Sequence, residues 1–225
     1  MKTIYPAFFI LVSLFWSCKQ KVAAEPQPKE TVTQAPTQAP MSSIIKELGQ
    51  FAGIDIPDAN VADEMIYFKK INTNGEPENI DMDNYVALYQ LLIRNGQGVE
   101  LPILEIRGSD HAILIMGGKG FGGPIWAHVL VDRATREIKK TEFDHRLESD
   151  GYGAGITKPG FGNQFSDTKI ALKSNTYGLD QTGQKIMEGS RMVDGLSGAT
   201  VTSGAAVRMV NEGLHKYAGY LDQSE

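Results

Sequence analysis

Four short apolar segments between residues 101 and 143 constrain the fold more than any other feature of this 225-residue sequence. They are rich in aliphatic and β-branched side chains, and turn residues separate each from the next. Such a pattern predicts an antiparallel set of β-strands joined by short turns. The four predicted strands are Leu101–Ile106, Ala112–Met116, Ile125–Val131 and Ile138–Phe143.

Helical periodicity appears only outside this run. Ser42–Phe51 and Asp83–Arg94 each place apolar residues on one face, and Ala205–Leu221 has the most regular amphipathic pattern of the chain. Helices outside a run of antiparallel strands predict an α+β domain, with the sheet flanked by helices. Residues 149–165 are rich in glycine with little periodicity and are expected to form an ordered or a mobile loop. A second stretch, 175–184, is rich in turn residues and is also expected to form a loop.

The amino terminus has the features of a bacterial lipoprotein signal. Lys2 precedes an uncharged run over residues 3–17, too short for a membrane-spanning helix but typical of a signal-peptide core. Cys18 follows directly, with small Ser17 before it and Leu14 four residues upstream, which resembles a relaxed lipobox. We therefore predict a signal peptide over 1–17 and a lipid on Cys18. The alternatives are an uncleaved anchor helix and a buried core strand.

Residues 18–40 carry no hydrophobic periodicity. They contain several prolines and a tandem Thr-Gln-Ala-Pro repeat at 33–36 and 37–40. A segment of this composition cannot bury enough apolar surface to offset its ordering entropy, so we predict a disordered tether that reaches up to roughly 60 Å. A single domain over 41–225 remains.

Charge and cysteine content exclude several classes of function. The chain has 22 basic and 27 acidic residues, and this acidic balance argues against a nucleic-acid partner. One cysteine excludes an internal disulfide framework and any cluster of cysteine ligands. The four histidines are scattered without metal-ligand spacing, so no metal site is predicted.

Two familiar motifs fail on their context. Residues 118–123 match G-x-G-x-x-G formally, but Pro124 and a strand follow them, whereas a dinucleotide site requires a helix. We expect a hairpin loop or a close approach of the backbone there instead. The sequence also lacks the G-x-S-x-G elbow of hydrolases and any visible pairing of an acid with a base, so we predict no catalytic residue.

The segment from Asp194 to Ser203 carries the sharpest chemical signal. Small residues flank Thr200 and leave its hydroxyl open to a large reactant, one turn before the predicted helix, where free N–H groups favour a phosphate. This arrangement suits covalent attachment of a phosphate-bearing cofactor, and it suits reversible phosphate binding almost as well. In a purely structural interpretation the segment is a turn, with Thr202 or Ser203 capping the helix.

Asp194-Gly-Leu-Ser-Gly-Ala-Thr200 resembles the acceptor motif D-G-x-[ST]-G-A-T of the FMN-binding domain family. That domain occurs in the NqrC subunit of the Na⁺-translocating NADH:quinone oxidoreductase and in the related RnfG protein. The resemblance implies that Thr200 carries FMN through a phosphoester bond. The other motif residues that it implicates in cofactor binding are Asp194, Gly195, Ser197, Gly198 and Ala199.

The resemblance extends over residues 99–221 and includes a second loop. Gly118-Lys-Gly, Gly-Pro-Ile-Trp126 and Phe143-Asp-His145 follow the order and spacing of NqrC. The family's E-T-P-G-L-G, which lies near the flavin ring, corresponds to residues 148–153. This implies roles at the cofactor for Glu148, Ser149, Gly151 and Tyr152. Thr-Pro is replaced by Ser-Asp here, which adds a negative charge, and the tyrosine that replaces leucine is expected either to stack on the flavin or simply to pack.

These observations favour an electron-transfer flavoprotein on the membrane of a bacterial cell envelope, with its domain in the periplasm. Its expected partners are a Mg²⁺-dependent flavin transferase that uses FAD, redox proteins of the membrane, and the membrane itself through the lipid. One alternative is NqrC itself, working within a sodium-pumping NADH:quinone reductase rather than as a stand-alone enzyme. Another is a flavin-free interaction module, favoured only by the Ser149-Asp150 replacement.

Overall fold

A seven-stranded antiparallel sheet organises the domain. The computed structural model describes residues 41–180 and 190–222, so the predicted signal peptide, the tether and Cys18 lie outside the described residues. In spatial order the strands are β2 (Pro77–Asn79), β1 (Ile66–Ile71), β3 (Leu101–Ile106), β4 (His111–Lys119), β5 (Pro124–Asp132), β6 (Glu137–His145) and β7 (Thr168–Lys169).

The four predicted strands are confirmed as β3 to β6, and the last three extend beyond their predicted bounds. Strands β1 and β2 at one end of the sheet and β7 at the other were missed. β1 places Lys69 and Lys70 in succession, which breaks the alternation of apolar and polar residues. β7 has only two residues and exists because it pairs with Glu137 and Ile138, a long-range contact that no local pattern announces.

Helices form the remaining layers. Their bounds are α1 (Ser43–Phe51), α2 (Ala59–Met65), α3 (Met82–Asn95), α4 (Pro159–Gly162), α5 (Thr200–Lys216) and α6 (Ala218–Asp222). The predictions for α1 and α3 are confirmed within one residue at each end. The carboxylate of Asp81 accepts the backbone N–H of Asn84 at the start of α3, and Gly96 ends that helix in the left-handed conformation (φ 68°).

The predicted helix Ala205–Leu221 is wrong at both ends. The helix begins at Thr200, and Tyr217 separates it from α6. The three residues Thr200 to Thr202 are β-branched and have modest helix propensity, but burial and bonding of Thr202 and Ser203 fix the first turn. Tertiary contacts therefore override the local preference.

α3 and α5 lie on opposite faces of the sheet. A Cβ on Gly117 would lie 2.9 Å from Leu92 of α3, and a Cβ on Gly118 would lie 2.9 Å from Met209 of α5. Successive residues of a strand point to opposite faces, so these two glycines let one helix approach from each side. The centre of β4 is buried on both faces as a result.

A second, two-stranded parallel sheet packs beside α5. It consists of β8 (Tyr177–Asp180) and β9 (Arg191–Asp194). The side-chain amide of Asn211 in α5 both accepts the N–H and donates to the carbonyl of Tyr177. The loop predicted over 175–184 is therefore wrong for β8, while residues 181–189 lie outside the description.

The glycine-rich stretch 149–165, expected to form an ordered or a mobile loop, is ordered and folded into short helical turns. Two 3₁₀ turns, Gly153–Thr157 and Asn163–Phe165, flank α4. Phe161 and Phe165 pack edge-on against Phe143 of β6, which attaches this segment to the sheet. The α+β prediction is confirmed. Over residues 41–180 and 190–222, no helix combines the length and apolarity that crossing a membrane requires.

Candidate functional site

Thr200 is the first residue of α5, and its side chain is exposed. Ala199 occupies the N-cap position, where an alanine side chain has no oxygen to offer the first turn. The predicted caps are wrong: the hydroxyls of Thr202 and Ser203 point to other partners. Within the described residues, the backbone N–H groups of Thr200, Val201 and Thr202 meet no acceptor, so the helix presents three free donors beside an exposed hydroxyl.

A cavity of about 450 Å³ opens beside this helix start. Three large side chains on its wall are unusually exposed for apolar residues: Phe121 at 80%, Tyr152 at 60% and Val201 at 58%. Exposed apolar groups around a concave site indicate a binding surface, because their burial by a ligand is favourable. The residues that line the cavity are Phe121, Glu148, Ser149, Tyr152, Gly153, Gly198, Ala199, Thr200, Val201 and Thr202.

Glu148 connects the three segments that form this cavity. Its carboxylate accepts the hydroxyl proton of Thr202 in α5 at 2.8 Å and the backbone N–H of Gly122 at 2.7 Å. Residue 122 belongs to the hairpin loop between β4 and β5, and residue 148 to the loop after β6. The Thr202 hydroxyl also accepts the backbone N–H of Phe121 at 3.4 Å. Buried Glu148 therefore ties the hairpin to the helix start.

The first half of the predicted motif builds the turn that leads into α5. Gln164 bonds both the backbone N–H and the carbonyl of Asp194. Ser203 reaches back from the helix, accepting the N–H of Leu196 and donating to the carbonyl of Ala199. Gly198 adopts φ 73°, a conformation that side chains disfavour. The structural interpretation of this segment as a turn thus holds for residues 195–199, while Asp194 ends β9.

The structure brings only part of the predicted site together. Six of the predicted residues line the cavity: Glu148, Ser149, Tyr152, Gly198, Ala199 and Thr200. The other four, Asp194, Gly195, Ser197 and Gly151, lie outside its wall. The Tyr152 ring packs against Gly198, since a Cβ there would lie 3.0 Å from the ring. Packing was one of the two expected roles for this tyrosine, and the ring's other side remains exposed.

Sequence reasoning missed Phe121, Val201 and Thr202. Phe121 stands alone among glycines at the tip of the β4–β5 hairpin, whose loop is closed by the Gly120 N–H and the Gly123 carbonyl. An aromatic side chain at such a tip is exposed to water unless a ligand or another protein covers it. A phenylalanine among glycines was therefore the feature of the sequence that could have indicated a binding residue. The expected hairpin over 118–123 is confirmed.

The charge on Asp150 was expected near the ring site. In the structure Asp150 is exposed and does not line the cavity. The carbonyl of neighbouring Ser149 accepts the N–H groups of Tyr152 and Ala154, so the loop is closed without the family's proline. Across the part of the chain that is described, no group of three or more His, Cys, Asp or Glu side chains is arranged to hold a metal ion.

Comparisons with known proteins agree with this geometry. Residues 120–215 match the model of the FMN-binding domain, and they include the hairpin tip, the loop of Glu148 and most of α5. The NqrC subunit of the Na⁺-translocating NADH-quinone reductase of Chlamydia caviae is 25% identical over 89% of this chain and 68% of its own length. For the Chlamydia muridarum NqrC the identity is 25% over 58% of this chain, and 48% of that protein is covered.

Solved structures share the fold. NqrC from Parabacteroides distasonis superposes with a TM-score of 0.63 at 24% identity, covering 81% of this chain and 93% of that one. The Shewanella oneidensis NqrC structure superposes with a TM-score of 0.61 at 15% identity, covering 81% and 96%. Fold, motif and family match therefore agree: residues 120–215 belong to the FMN-binding domain family, and the chain is homologous to the NqrC subunit of these quinone reductases.

Proposed function

We propose that this chain is an extracytoplasmic flavoprotein that carries FMN covalently on Thr200 and transfers electrons at a membrane. One observation carries the proposal: the Thr200 hydroxyl is exposed at the first position of an uncapped helix, on the wall of a cavity with an apolar rim. The family match supports FMN as the cofactor.

The residues around Thr200 fit the phosphate of FMN. Three backbone N–H groups at the start of α5 lack acceptors among the described residues. A helix of this length also has a partial positive charge at its amino terminus, which stabilises an anion. The absence of a polar side chain at Ala199 leaves these donors open, so a phosphate on the Thr200 oxygen would replace the missing cap.

The adjoining cavity fits a planar aromatic group. Its volume of about 450 Å³ lies in the usual range for cofactor sites. Phe121, Tyr152 and Val201 would be covered by a flavin ring, which removes their exposed apolar surface from water. Glu148 holds the Phe121 hairpin against α5, and thus keeps two walls of the cavity at a fixed spacing.

The attachment reaction is a phosphoryl transfer. In the presence of a Mg²⁺-dependent transferase, the Thr200 oxygen forms a bond to the FMN phosphorus of FAD. The anhydride bond of FAD breaks, AMP leaves with the bridging oxygen, and the hydroxyl proton is released. Small neighbours leave the hydroxyl accessible to a large enzyme, and the free N–H groups stabilise the phosphate as it arrives.

Bound FMN supplies the redox chemistry by accepting and donating electrons. The protein's part is to bind and orient it, and no acid–base pair is required. A covalent bond is useful outside the cytoplasm, where a lost flavin would not be replaced. The sequence signal at Cys18 and the tether over 18–40 support a lipid-anchored domain at the cell envelope, with redox proteins of the membrane as partners.

A second candidate is the NqrC component of a Na⁺-translocating NADH-quinone reductase, with the other subunits of that complex as partners. Its support is the similarity to the chlamydial proteins. The chain spans about two thirds of the first of these relatives and about half of the second. It would then retain an uncleaved amino-terminal anchor in place of a lipid on Cys18.

The test is the intact mass of the full chain, purified from membranes of bacteria that co-express a flavin transferase. We expect an added mass of one FMN, fluorescence that survives a denaturing gel, and a diacylglycerol at Cys18. Thr200→Ala should fold and lose the FMN mass, whereas Thr200→Ser, which keeps the hydroxyl, should retain it. Flavin that stays bound covalently to Thr200→Ala would refute the attachment site. A wild-type chain without flavin would favour the interaction module, and an unprocessed amino terminus would favour the second candidate.

A further inference from the structure

A second cavity, of about 400 Å³, adjoins Thr200 on another side of α5. Thr200 and Val201 line both cavities, so the exposed hydroxyl lies where the two meet. The second cavity has a positively charged residue on its wall, Arg208, whereas the charged residue of the first is the carboxylate Glu148, and neither Phe121 nor Tyr152 reaches the second cavity. The two cavities therefore suit different parts of one ligand.

Thr200, Gly204 and Arg208 follow one another at intervals of four residues, so they lie along one stripe of the helix. Gly204 leaves the middle of this stripe without a side chain. The Arg208 guanidinium borders that space at van der Waals distance: its Nη1 lies 3.4 Å from the position that a Cβ on Gly204 would take. The arginine thus leans toward the helix start, the direction in which helical side chains point.

Arg208 lacks an ion-pair or hydrogen-bond partner among the residues that the structure describes. Glu212 lies one turn toward the carboxyl end, at the spacing that favours a helical ion pair, yet the guanidinium turns away from it. About one helical turn separates Gly204 from Thr200. A phosphate bonded to the Thr200 oxygen would extend into the space between Thr200 and the Arg208 guanidinium and shorten the distance between the two groups.

We propose that Arg208 binds the phosphate carried on Thr200, so that the second cavity holds the charged end of the cofactor and the first cavity holds its ring. This inference rests on the proposed attachment of FMN to Thr200. A phosphodiester keeps one negative charge, and arginine is suited to it because its planar guanidinium can donate two parallel hydrogen bonds. Because Gly204 has no side chain, the Arg208 guanidinium and the phosphate can approach each other across this residue.

The experiment compares wild type with Arg208→Gln and Arg208→Lys. The control is Lys216→Gln, which removes the same charge from the exposed end of the same helix. Each full-length protein is incubated with FAD, Mg²⁺ and flavin transferase. The readouts are the rate of FMN mass addition and the ³¹P chemical shift of the attached phosphate. We expect Arg208→Gln to react about fivefold more slowly and to shift the ³¹P resonance. Arg208→Lys should recover part of the rate, and Lys216→Gln should match wild type.

A ³¹P resonance that is unchanged in Arg208→Gln would overturn the role of Arg208, whether or not the rate falls, because a rate effect alone places Arg208 at the transferase rather than at the phosphate. Failure of Arg208→Gln to react, without recovery by Arg208→Lys, would also overturn it. Both outcomes leave the attachment to Thr200 in place. A wild-type protein that gains no FMN mass would instead refute the proposed function itself.

Discussion

At the scale of the residue, Glu148 has the most consequential set of contacts around the cavity. It is a buried carboxylate that accepts a hydroxyl from α5 and a backbone N–H from the hairpin loop. Two glycines make room for it, because a Cβ on Gly120 or on Gly153 would collide with its carboxylate. Gly120 and Gly153 are thus explained by one acidic side chain.

We expect Glu148→Ala to lower the free energy of unfolding by about 2 kcal/mol, because the Thr202 hydroxyl and the Gly122 N–H lose their acceptor. Denaturant-induced unfolding followed by circular dichroism measures the change. Glu142→Ala is the matched control, since Glu142 is exposed and forms a surface ion pair with Lys140. It should change stability by less than about 0.5 kcal/mol. Equal effects of the two variants would contradict the role given to Glu148.

Individual residues of the site were predictable where the signal is local. Thr200 stands out in the sequence because small residues surround a hydroxyl near a helix start. Phe121 does not, because its relation to Thr202 depends on a contact between segments 81 residues apart. Glu148 was included only through the family resemblance, and its contacts became visible in the folded chain.

At the scale of the element, the packing of α5 on β4 depends on glycines whose positions are not interchangeable. A Cβ on Gly213 would lie 2.6 Å from two atoms of Met116, far inside van der Waals contact. A Cβ on Gly204 would find its nearest neighbours at 3.4 and 3.6 Å, an ordinary separation. Substitution by alanine should therefore change the stability of the protein in opposite directions at Gly213 and at Gly204, which lie on different faces of α5.

Gly213→Ala should destabilise the protein by about 2 kcal/mol through overpacking. Gly204→Ala should stabilise it by about 0.5–1 kcal/mol, because alanine has the higher helix propensity and there is room for its methyl group. Each variant serves as the control for the other in thermal or denaturant unfolding. Changes of the same sign would show that propensity, rather than contact with Met116, governs both positions.

Elements were predictable to the extent that their own residues specify them. The long strands β3 to β6 and the helices α1 and α3 carry clear periodicity and flanking turn signals, and all were found. The start of α5 was placed too late because β-branched residues and small residues at its beginning look unlike a helix. Strands β8 and β9 were missed because each is short and depends on the other and on Asn211 for its hydrogen bonds.

At the scale of the whole molecule, stability should depend on pH through one histidine of strand β5. Burial lowers the pKa of His128 from 6.5 to about 4, despite the opposing influence of Glu142 and Asp144. Its Nε2 lies 2.9 Å from the Tyr89 hydroxyl. Between these two pH values the unfolded chain binds a proton that the folded chain does not, so lowering the pH favours unfolding.

The free energy of unfolding should thus fall by about 2 kcal/mol between pH 6.5 and pH 4 as a result of this group. His128→Gln keeps a side chain that can bond Tyr89 but does not titrate. The difference in unfolding free energy between wild type and His128→Gln, measured by denaturant titration at several pH values, isolates the contribution of His128. A difference that stays constant over this window would show that His128 titrates normally in the folded protein.

The fold class of the molecule followed from the order of its elements, because antiparallel strands between outlying helices have few compact arrangements. The opposite placement of α3 and α5 did not follow from it. That arrangement depends on two adjacent glycines, Gly117 and Gly118, each of which allows a helix to pack closely on one face of β4. From the sequence alone, two adjacent glycines indicate only that the strand is destabilised at that position.

Thr200 lies inside a helix rather than in the turn before it, and this determines the direction in which its side chain points. Successive residues of a helix project at intervals of about 100°, so the bearing of the Thr200 side chain is set by the rotation of α5 about its own axis. That rotation is fixed where Met209 and Gly213 rest on β4. The direction of any group bonded to the Thr200 oxygen therefore depends on how α5 packs on β4, the central strand of the sheet. The direction in which the proposed attachment at Thr200 would point is thus a property of the core, not of a surface loop.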